Sequence, residues 1–190
     1  MTMKTPILAQ LFLIACCISF VSCGEQKTGS EASEMETQSD EIVETRASPL
    51  RRVEGTVAGK QLKVQYGSPA VKGRAIWGDL VPYNEVWRTG ANEATYLEFT
   101  QDLKVHGQTL PAGKYSLFTI PRESGPWTVI FNSEWDLEHG HYQYKEEHDV
   151  LRVSADPTWE ESSQEWLMIE IVSGGLVVKW EKLKLPISIE

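Results

Sequence analysis

Short stretches of alternating apolar and polar residues, each ended by glycine or proline, are the feature that most constrains how this chain can fold. Gln61–Tyr66 alternates in this way and stops at Gly67–Pro69, and Thr95–Phe99 alternates again. Successive side chains of a β-strand point to opposite faces, so the pattern predicts half-buried strands. No stretch keeps a sustained helical period of about 3.6 residues. The best candidates for short helices are Gly78–Glu85 and Lys145–His148.

Stretches rich in β-branched and aromatic residues extend the series of predicted strands along the rest of the chain. They are Leu103–Val105, Lys114–Ile120, Trp127–Phe131, Val150–Val153, Trp166–Ile171, Leu176–Trp180 and Leu183–Ile189. Trp127–Phe131 is almost continuously apolar, which predicts burial on both faces. Ser173–Gly175 is typical of a hairpin turn, and Pro186 is expected at an edge strand or a bulge. About eight or nine short strands predict an all-β fold, an antiparallel β-sandwich or a barrel-like variant, for residues 49–190.

Residues 1–22 have the layout of a bacterial lipoprotein signal peptide. Lys4 supplies the positive charge, and Pro6–Val21 is an uncharged run shorter than the about 20 apolar residues of a membrane-spanning helix. The run ends in Phe20–Cys23, which resembles a lipobox because a small residue precedes the cysteine. An ordinary signal peptide followed by a chance cysteine is the alternative.

The cysteine count favours lipidation of Cys23. Cys16 and Cys17 would be removed with the signal peptide, which leaves Cys23 as the one cysteine of the mature chain. An exported domain held by disulfides needs paired cysteines. We therefore expect attachment to a membrane through an N-terminal lipid, in a bacterial cell envelope, at the periplasmic face or the outer-membrane surface.

Residues 23–48 are predicted to be a disordered acidic tether behind the lipidated cysteine. Between Gly24 and Ser48 the chain holds seven acidic residues against two basic ones, and it lacks aromatic residues. Such a composition buries too little apolar surface to offset the entropy of ordering. A short amphipathic helix over Glu34–Val43 is the alternative.

The charge of the chain excludes one large class of partners. Its 18 Lys and Arg stand against 27 Asp and Glu, a formal net charge of -9. Nucleic-acid binders carry a basic patch that contacts phosphates. We therefore expect no nucleic-acid partner.

Four long stretches of the predicted β-domain resemble one bacterial protein family. They are Tyr66–Thr95, Leu110–Pro121, Trp127–Asn132 and Asp149–Val153. Together they are similar to the domain of unknown function DUF2911, which is frequent among lipoproteins of Bacteroidetes. The resemblance covers Val57–Ile189. It implies an exported β-rich domain and no established activity.

The densest group of polar side chains lies in a segment that contains glycine and proline, where loops project functional groups. It comprises Arg74, Asp79, Tyr83, Glu85, Arg88, Asn92 and Glu93. Arg88 has the chemistry for a bidentate contact with a carboxylate or phosphate, and Asn92 and Glu93 could fix sugar hydroxyls. The alternative is architectural: these side chains satisfy the backbone of a long connection, with Glu85 or Glu93 as the partner of Arg88.

The seven tryptophans divide into three groups by their surroundings in the sequence. Those within predicted strands are expected in the core: Trp127, Trp166 and Trp180. Those in acidic, loop-like stretches are expected to be exposed: Trp135 and Trp159. Trp77 and Trp87 flank the polar group and could wall a pocket. An exposed row of such rings would instead form a platform for sugars.

His139–His141 is the one spacing in the chain that resembles a metal site. On a strand, both imidazoles would face one side, a geometry found in zinc sites. Zinc sites use three or four protein ligands, so His148, Glu138 or Asp149 would have to add to the two that His139 and His141 supply. We therefore treat them as weak candidates and expect no metal and no cofactor.

These observations favour a lipid-anchored envelope protein that binds a small ligand, a glycan or a partner without catalysis. Motifs for a serine or cysteine nucleophile and for a phosphate-binding loop are not found in the sequence. One alternative is a glycan-directed envelope hydrolase that uses the carboxylates of Glu85 and Glu93 near Trp87, since glycosidases need two carboxyl groups about 5–9.5 Å apart. The other is a purely structural envelope component.

Overall fold

The computed structural model describes residues 46–190. The predicted signal peptide, Cys23 and the tether as far as residue 45 lie outside the described residues. Within residues 46–190 there are ten strands and two short 3₁₀ turns, and no helix there is long and apolar enough to cross a membrane. The predicted mostly antiparallel all-β fold is confirmed as sandwich-like.

Six strands form the larger sheet, all antiparallel, in the order β1-β2-β3-β6-β7-β8. The ten strands in chain order are β1 (Leu50–Val57), β2 (Lys60–Gly67), β3 (Tyr96–Phe99), β4 (Leu103–Val105), β5 (Gln108–Leu110), β6 (Gly113–Ile120), β7 (Trp127–Asn132), β8 (Asp149–Ala155), β9 (Thr158–Val172) and β10 (Gly175–Ser188).

The second layer is built on the long hairpin of β9 and β10, which turns at the predicted Ser173–Gly175 position. The short pair β4–β5 joins it because Lys104 exchanges two backbone hydrogen bonds with Glu190, at 3.2 and 2.8 Å. The register shifts on both sides of Glu181, whose φ is 53°. The segments Leu176–Trp180 and Leu183–Ile189 were predicted as two strands. They belong instead to one strand, β10, whose pairing is irregular at Glu181.

The core lies between the two layers and follows the alternation of the sequence. In β2, Leu62, Val64 and Tyr66 are buried and the residues between them face outward. β7 is buried on both faces, as its apolar run predicts. Its second face is covered by a smaller cluster in which Ile130 packs with Phe118 and Ala94.

The two helix candidates have different outcomes. Gly78–Glu85 forms consecutive turns without a helix, because Gly78 adopts a φ of 84° and its N–H donates to the Val81 carbonyl. Lys145–His148 contains a 3₁₀ turn, Glu146–His148, and another precedes it at Gly140–Gln143.

The tryptophans follow the prediction at most positions. Trp127 and Trp180 are fully buried, and Trp159 is 48% exposed. Trp166 is only half-buried, since it lies where the pairing of β9 with β10 is irregular. Trp135 is also half-buried rather than exposed, because the Lys114 ammonium lies 3.4 Å from its ring centroid and Tyr96 packs against it.

Candidate functional site

The polar residues singled out in the sequence project from the connection between β2 and β3, and β6 holds this connection in place. Trp87 and Thr119 exchange two backbone hydrogen bonds, at 2.7 and 2.8 Å. The N–H of Asn84 donates to the Pro121 carbonyl at 2.8 Å. The connection is therefore fixed on the sheet although it contains no regular strand.

A pocket of ≈ 580 Å³ opens beside this connection, and we call it the Trp87–Arg88 pocket. Trp87 and Trp180 stack there, with ring centroids 5.9 Å apart and an interplanar angle of 17°. Trp87 comes from the connection and Trp180 from β10, so the pocket bridges the two layers. Its lining comprises Ser48, Pro69, Arg74, Leu80, Val81, Pro82, Glu85, Val86, Trp87, Arg88, Gly90, Ala91, His141, Tyr142 and Trp180.

Arg88 is half-buried and is held by backbone oxygens. Its Nη1 donates to the carbonyl of Asn92 and, at 3.3 Å, to that of His139. The guanidinium carbon lies 5.5 Å from the ring centroid of Tyr142. Burial lowers the pKa of Arg88, while Tyr142 and Glu93 act to raise it. An arginine keeps its charge at neutral pH, so the pocket wall holds a partly desolvated cation.

The predicted pairing of Arg88 with Glu85 or Glu93 is wrong. Both carboxylate oxygens of Glu93 accept hydrogen bonds from Arg46, at 3.1 and 3.0 Å. Arg46 belongs to the end of the predicted tether, for which no contacts with the domain were expected. The tether end therefore binds Glu93, one of the two carboxylates that were expected to pair with Arg88.

Arg74 provides a second cation at the pocket, also tied to backbone oxygens. Its Nε donates to the Val71 carbonyl at 3.1 Å and its Nη2 to the Ala70 carbonyl at 2.5 Å. Glu85 is the one carboxylate among the lining residues, and it is exposed. The lining contains two guanidinium groups and one carboxylate, so its net charge is positive although the chain as a whole is acidic.

His141 and Tyr142 belong to the site, although the polar cluster of the sequence did not include them. They lie about fifty residues after Arg88 in the 3₁₀ turn Gly140–Gln143, with ring centroids 4.2 Å apart. Burial, and secondarily the charge of Arg88, lowers the pKa of His141. The imidazole is therefore neutral at pH 7. Nothing in the spacing of the sequence joins this turn to Arg88; tertiary packing alone does so.

The prediction that His139 and His141 lie on a strand, with both imidazoles on one side, is wrong. The two residues lie at a 3₁₀ turn rather than on a strand, with His139 exposed at its start. Their side chains therefore lack the common face that strand alternation would give. Across residues 46–190, no three His, Cys, Asp or Glu side chains are grouped closely enough to hold a metal ion.

Asn92 and Glu93 lie on the other side of Arg88, in a separate open groove of ≈ 700 Å³. Arg88 and Tyr142 line both this groove and the Trp87–Arg88 pocket. The Asn92 amide donates to the Ser48 carbonyl at 3.5 Å. These two polar residues thus hold the end of the tether beside the pocket.

Tyr83 and Trp77 line neither cavity. The ring of Tyr83 packs over Gly78 at a distance that leaves no room for a side chain there, and burial raises the pKa of its hydroxyl. Trp77 packs edge-on against Trp87 and Trp180, at 5.6 and 5.8 Å. Trp77 therefore packs behind the two stacked tryptophans, which form the floor of the pocket.

The turn that carries His141 is anchored on both sides. On one side, the Ala94 N–H donates to the Leu137 carbonyl at 2.8 Å. On the other, the Asp149 carboxylate accepts hydrogen bonds from Tyr144, at 2.7 Å, and from Arg152, at 2.6 Å. Burial and Asp149 raise the pKa of Tyr144 to about 12. Tyr144 therefore stays a hydrogen-bond donor and holds the turn over Arg88.

Residues 48–189 match a protein family described as "Protein of unknown function (DUF2911)". This range contains all of the pocket lining. No curated protein and no solved structure is similar enough to this chain to match it.

Proposed function

We propose that this chain, which belongs to the DUF2911 family, is a binding protein whose Trp87–Arg88 pocket takes a small organic anion without catalysis. One observation carries the proposal: Arg88 is a half-buried cation beside two stacked tryptophans, and its hydrogen-bond partners among the described residues are backbone carbonyls. A half-buried guanidinium is stabilised by an anion, and an arginine matches a carboxylate or phosphate in shape.

The glycan-directed hydrolase is supported less well than binding. Hydrolysis by carboxylates needs two of them at the scissile bond. Glu85 lines the pocket, whereas Glu93 lies in the groove on the other side of Arg88 and is bound to Arg46. The two carboxylates of that hypothesis are therefore not gathered around one cavity.

The proposal includes a location in the bacterial cell envelope, with Cys23 as the lipidated residue. Its support is the signal-like run of residues 1–22 and the single cysteine that would remain after cleavage. A lipid on Cys23 would hold the binding domain near a membrane. The ligand would then be one that reaches the envelope.

The test is a binding screen of small organic anions, followed by tryptophan fluorescence and calorimetry. We expect Arg88→Gln to weaken binding of any hit by about 10- to 100-fold, because a charge-assisted hydrogen bond contributes roughly 1.5–3 kcal/mol. Arg51→Gln is the matched control, since Arg51 is exposed and is not among the lining residues of the pocket. A hit whose affinity is equal in both variants, or no hit at all, would contradict the proposal.

A further inference from the structure

Resting on the proposed function, we infer that the ligand is a carboxylate with an apolar body, and that Gly140 positions Arg88 to receive its carboxylate group. The inference combines three features of the Trp87–Arg88 pocket: the composition of its walls, the guanidinium nitrogen Nη2 that has no protein partner, and the close approach of Gly140.

Apolar surface is the larger part of the pocket wall, by a modest margin. Trp87 and Trp180 form the floor, and Leu80, Val81 and Val86 are among the other lining residues. Neutral side chains that could hydrogen-bond a sugar hydroxyl are limited, within the described lining, to Ser48, His141, Tyr142 and Trp180, since Trp87 Nε1 already donates to the Gly90 carbonyl. Hydroxyl groups buried against such walls would lose their hydrogen bonds to water, so an apolar body fits better than a sugar ring.

The size of the pocket argues against a bare inorganic ion. Its ≈ 580 Å³ falls in the range of about 300–1,000 Å³ typical of sites for organic ligands. Leu80, 45% exposed, and Tyr142, 79% exposed, place apolar surface that is still open to solvent among the lining residues. An apolar body would cover this surface, whereas phosphate would leave it in water.

The guanidinium of Arg88 keeps one nitrogen that the described residues neither bury nor bind. Nη1 donates to the carbonyls of Asn92 and His139. Nε is buried, so a ligand does not reach it. Nη2 has no hydrogen bond to another residue of the range 46–190 and is not among the buried unpaired atoms. A carboxylate oxygen can accept a charge-assisted hydrogen bond from Nη2, so the protein fixes the orientation of the cation and leaves this nitrogen for the ligand.

Gly140 determines whether Arg88 can keep this position. Its φ is 53°, and a side-chain carbon there would collide with Cδ of Arg88 and lie 3.2 Å from its Nε. Any residue larger than glycine would therefore displace the Arg88 side chain and, with it, the position of Nη2. Gly140 acts through Arg88 and is a positioning residue rather than a ligand contact.

The experiment measures binding of phenylpropionate, its neutral amide phenylpropanamide, acetate, glucuronate and inorganic phosphate to the full mature chain. We expect phenylpropionate to bind at least about tenfold more tightly than each of the others, since its charge and its ring are both recognised. Arg88→Gln should bring phenylpropionate to the affinity of the amide.

Gly140→Ala should weaken phenylpropionate binding by about tenfold or more. Gly59→Ala is the matched control, because Gly59 also has a positive φ, 77°, but has open space where a side chain would stand. Circular dichroism and the urea midpoint confirm that each variant folds. Wild-type affinity in folded Gly140→Ala would overturn the role of Gly140.

The other outcomes separate this inference from the proposed function. Tighter, Arg88-dependent binding of glucuronate or phosphate would overturn the apolar carboxylate and leave the proposed anion-binding function intact. Equal affinity for phenylpropionate and its amide would overturn both. Binding of no probe in an Arg88-dependent manner would also contradict both.

Discussion

At the scale of single residues, backbone geometry decides what the charged side chains can do. Arg88 uses Nη1 to hold the carbonyls of two segments that are far apart in sequence, at Asn92 and His139. Arg74 likewise binds backbone carbonyls, of Ala70 and Val71. Because these arginines satisfy the backbone without neutralising their charge, one residue can serve both the architecture and a ligand.

Arg88→Gln should lower the free energy of unfolding by about 1–2 kcal/mol, because two carbonyls lose a charged donor and regain water. Loss of a buried ion-pair partner would cost more, about 3–5 kcal/mol. Urea denaturation in the absence of ligand distinguishes these values, with Arg51→Gln as the control. A loss in the higher range would show that Arg88 has a carboxylate partner after all.

The low pKa of His141 predicts how stability depends on pH. As pH falls below the ordinary histidine pKa of 6.5, the unfolded chain takes up a proton at this position before the folded chain does. The free energy of unfolding therefore decreases, and the decrease stops once the pH lies below the folded-state pKa.

In His141→Gln this contribution is absent, so the variant should lose less stability than the wild type between about pH 7.5 and about pH 5. Urea midpoints across that range provide the measurement. His139→Gln, which removes an exposed histidine of the same turn, is the matched control. Parallel curves for the wild type and His141→Gln would contradict the assignment.

At the scale of elements, the irregular segments are organised by the strands beside them. Trp87 pairs with Thr119 of β6, which fixes the connection between β2 and β3. Asp149, the first residue of β8, holds Tyr144 and Arg152 and thereby the turn Gly140–Gln143, which lies against Arg88. The end of the predicted tether is fixed in the same way, through Glu93 and Asn92.

The contact of Arg46 with Glu93 predicts a measurable coupling between the tether and the domain. Arg46→Gln and Glu93→Gln should each reduce the free energy of unfolding, and a double-mutant cycle should give a coupling of about 1 kcal/mol, as for a partly exposed bidentate pair. Lys63→Gln with Glu54→Gln is a matched cycle on a more exposed pair, 3.5 Å apart. Additive effects at Arg46 and Glu93 would show that this ion pair does not contribute to stability.

At the scale of the whole molecule, the pocket lies where the two layers of the sandwich meet. Trp180 belongs to the hairpin layer, and Trp87 is tied to the six-stranded sheet, so the floor of the pocket is continuous with the core. The lining also includes Ser48, next to the predicted tether. A proposed lipid anchor and the proposed ligand site are therefore joined by a short stretch of chain.

Lipidation at Cys23 predicts the cellular distribution of the protein. Cys23→Ser should move the chain from the membrane fraction to the soluble fraction, because the variant lacks the acyl chains that would hold it on the bilayer. Fractionation with a salt wash measures this, and Cys17→Ser is the control within the same signal segment. Retention of the Cys23→Ser variant on washed membranes would exclude the anchor.

The sequence by itself determined the strands, because alternation in β2 and the apolar run of β7 reflect which faces are buried. It also determined the family and indicated Arg88 and Trp87 as candidates for a site. Tertiary structure alone decided what surrounds Arg88. His141, Tyr142 and Trp180 reach it from other parts of the chain, and Arg46 takes the carboxylate of Glu93. Local sequence patterns indicate whether a residue is buried, whereas contacts between residues far apart in the chain depend on how the layers pack.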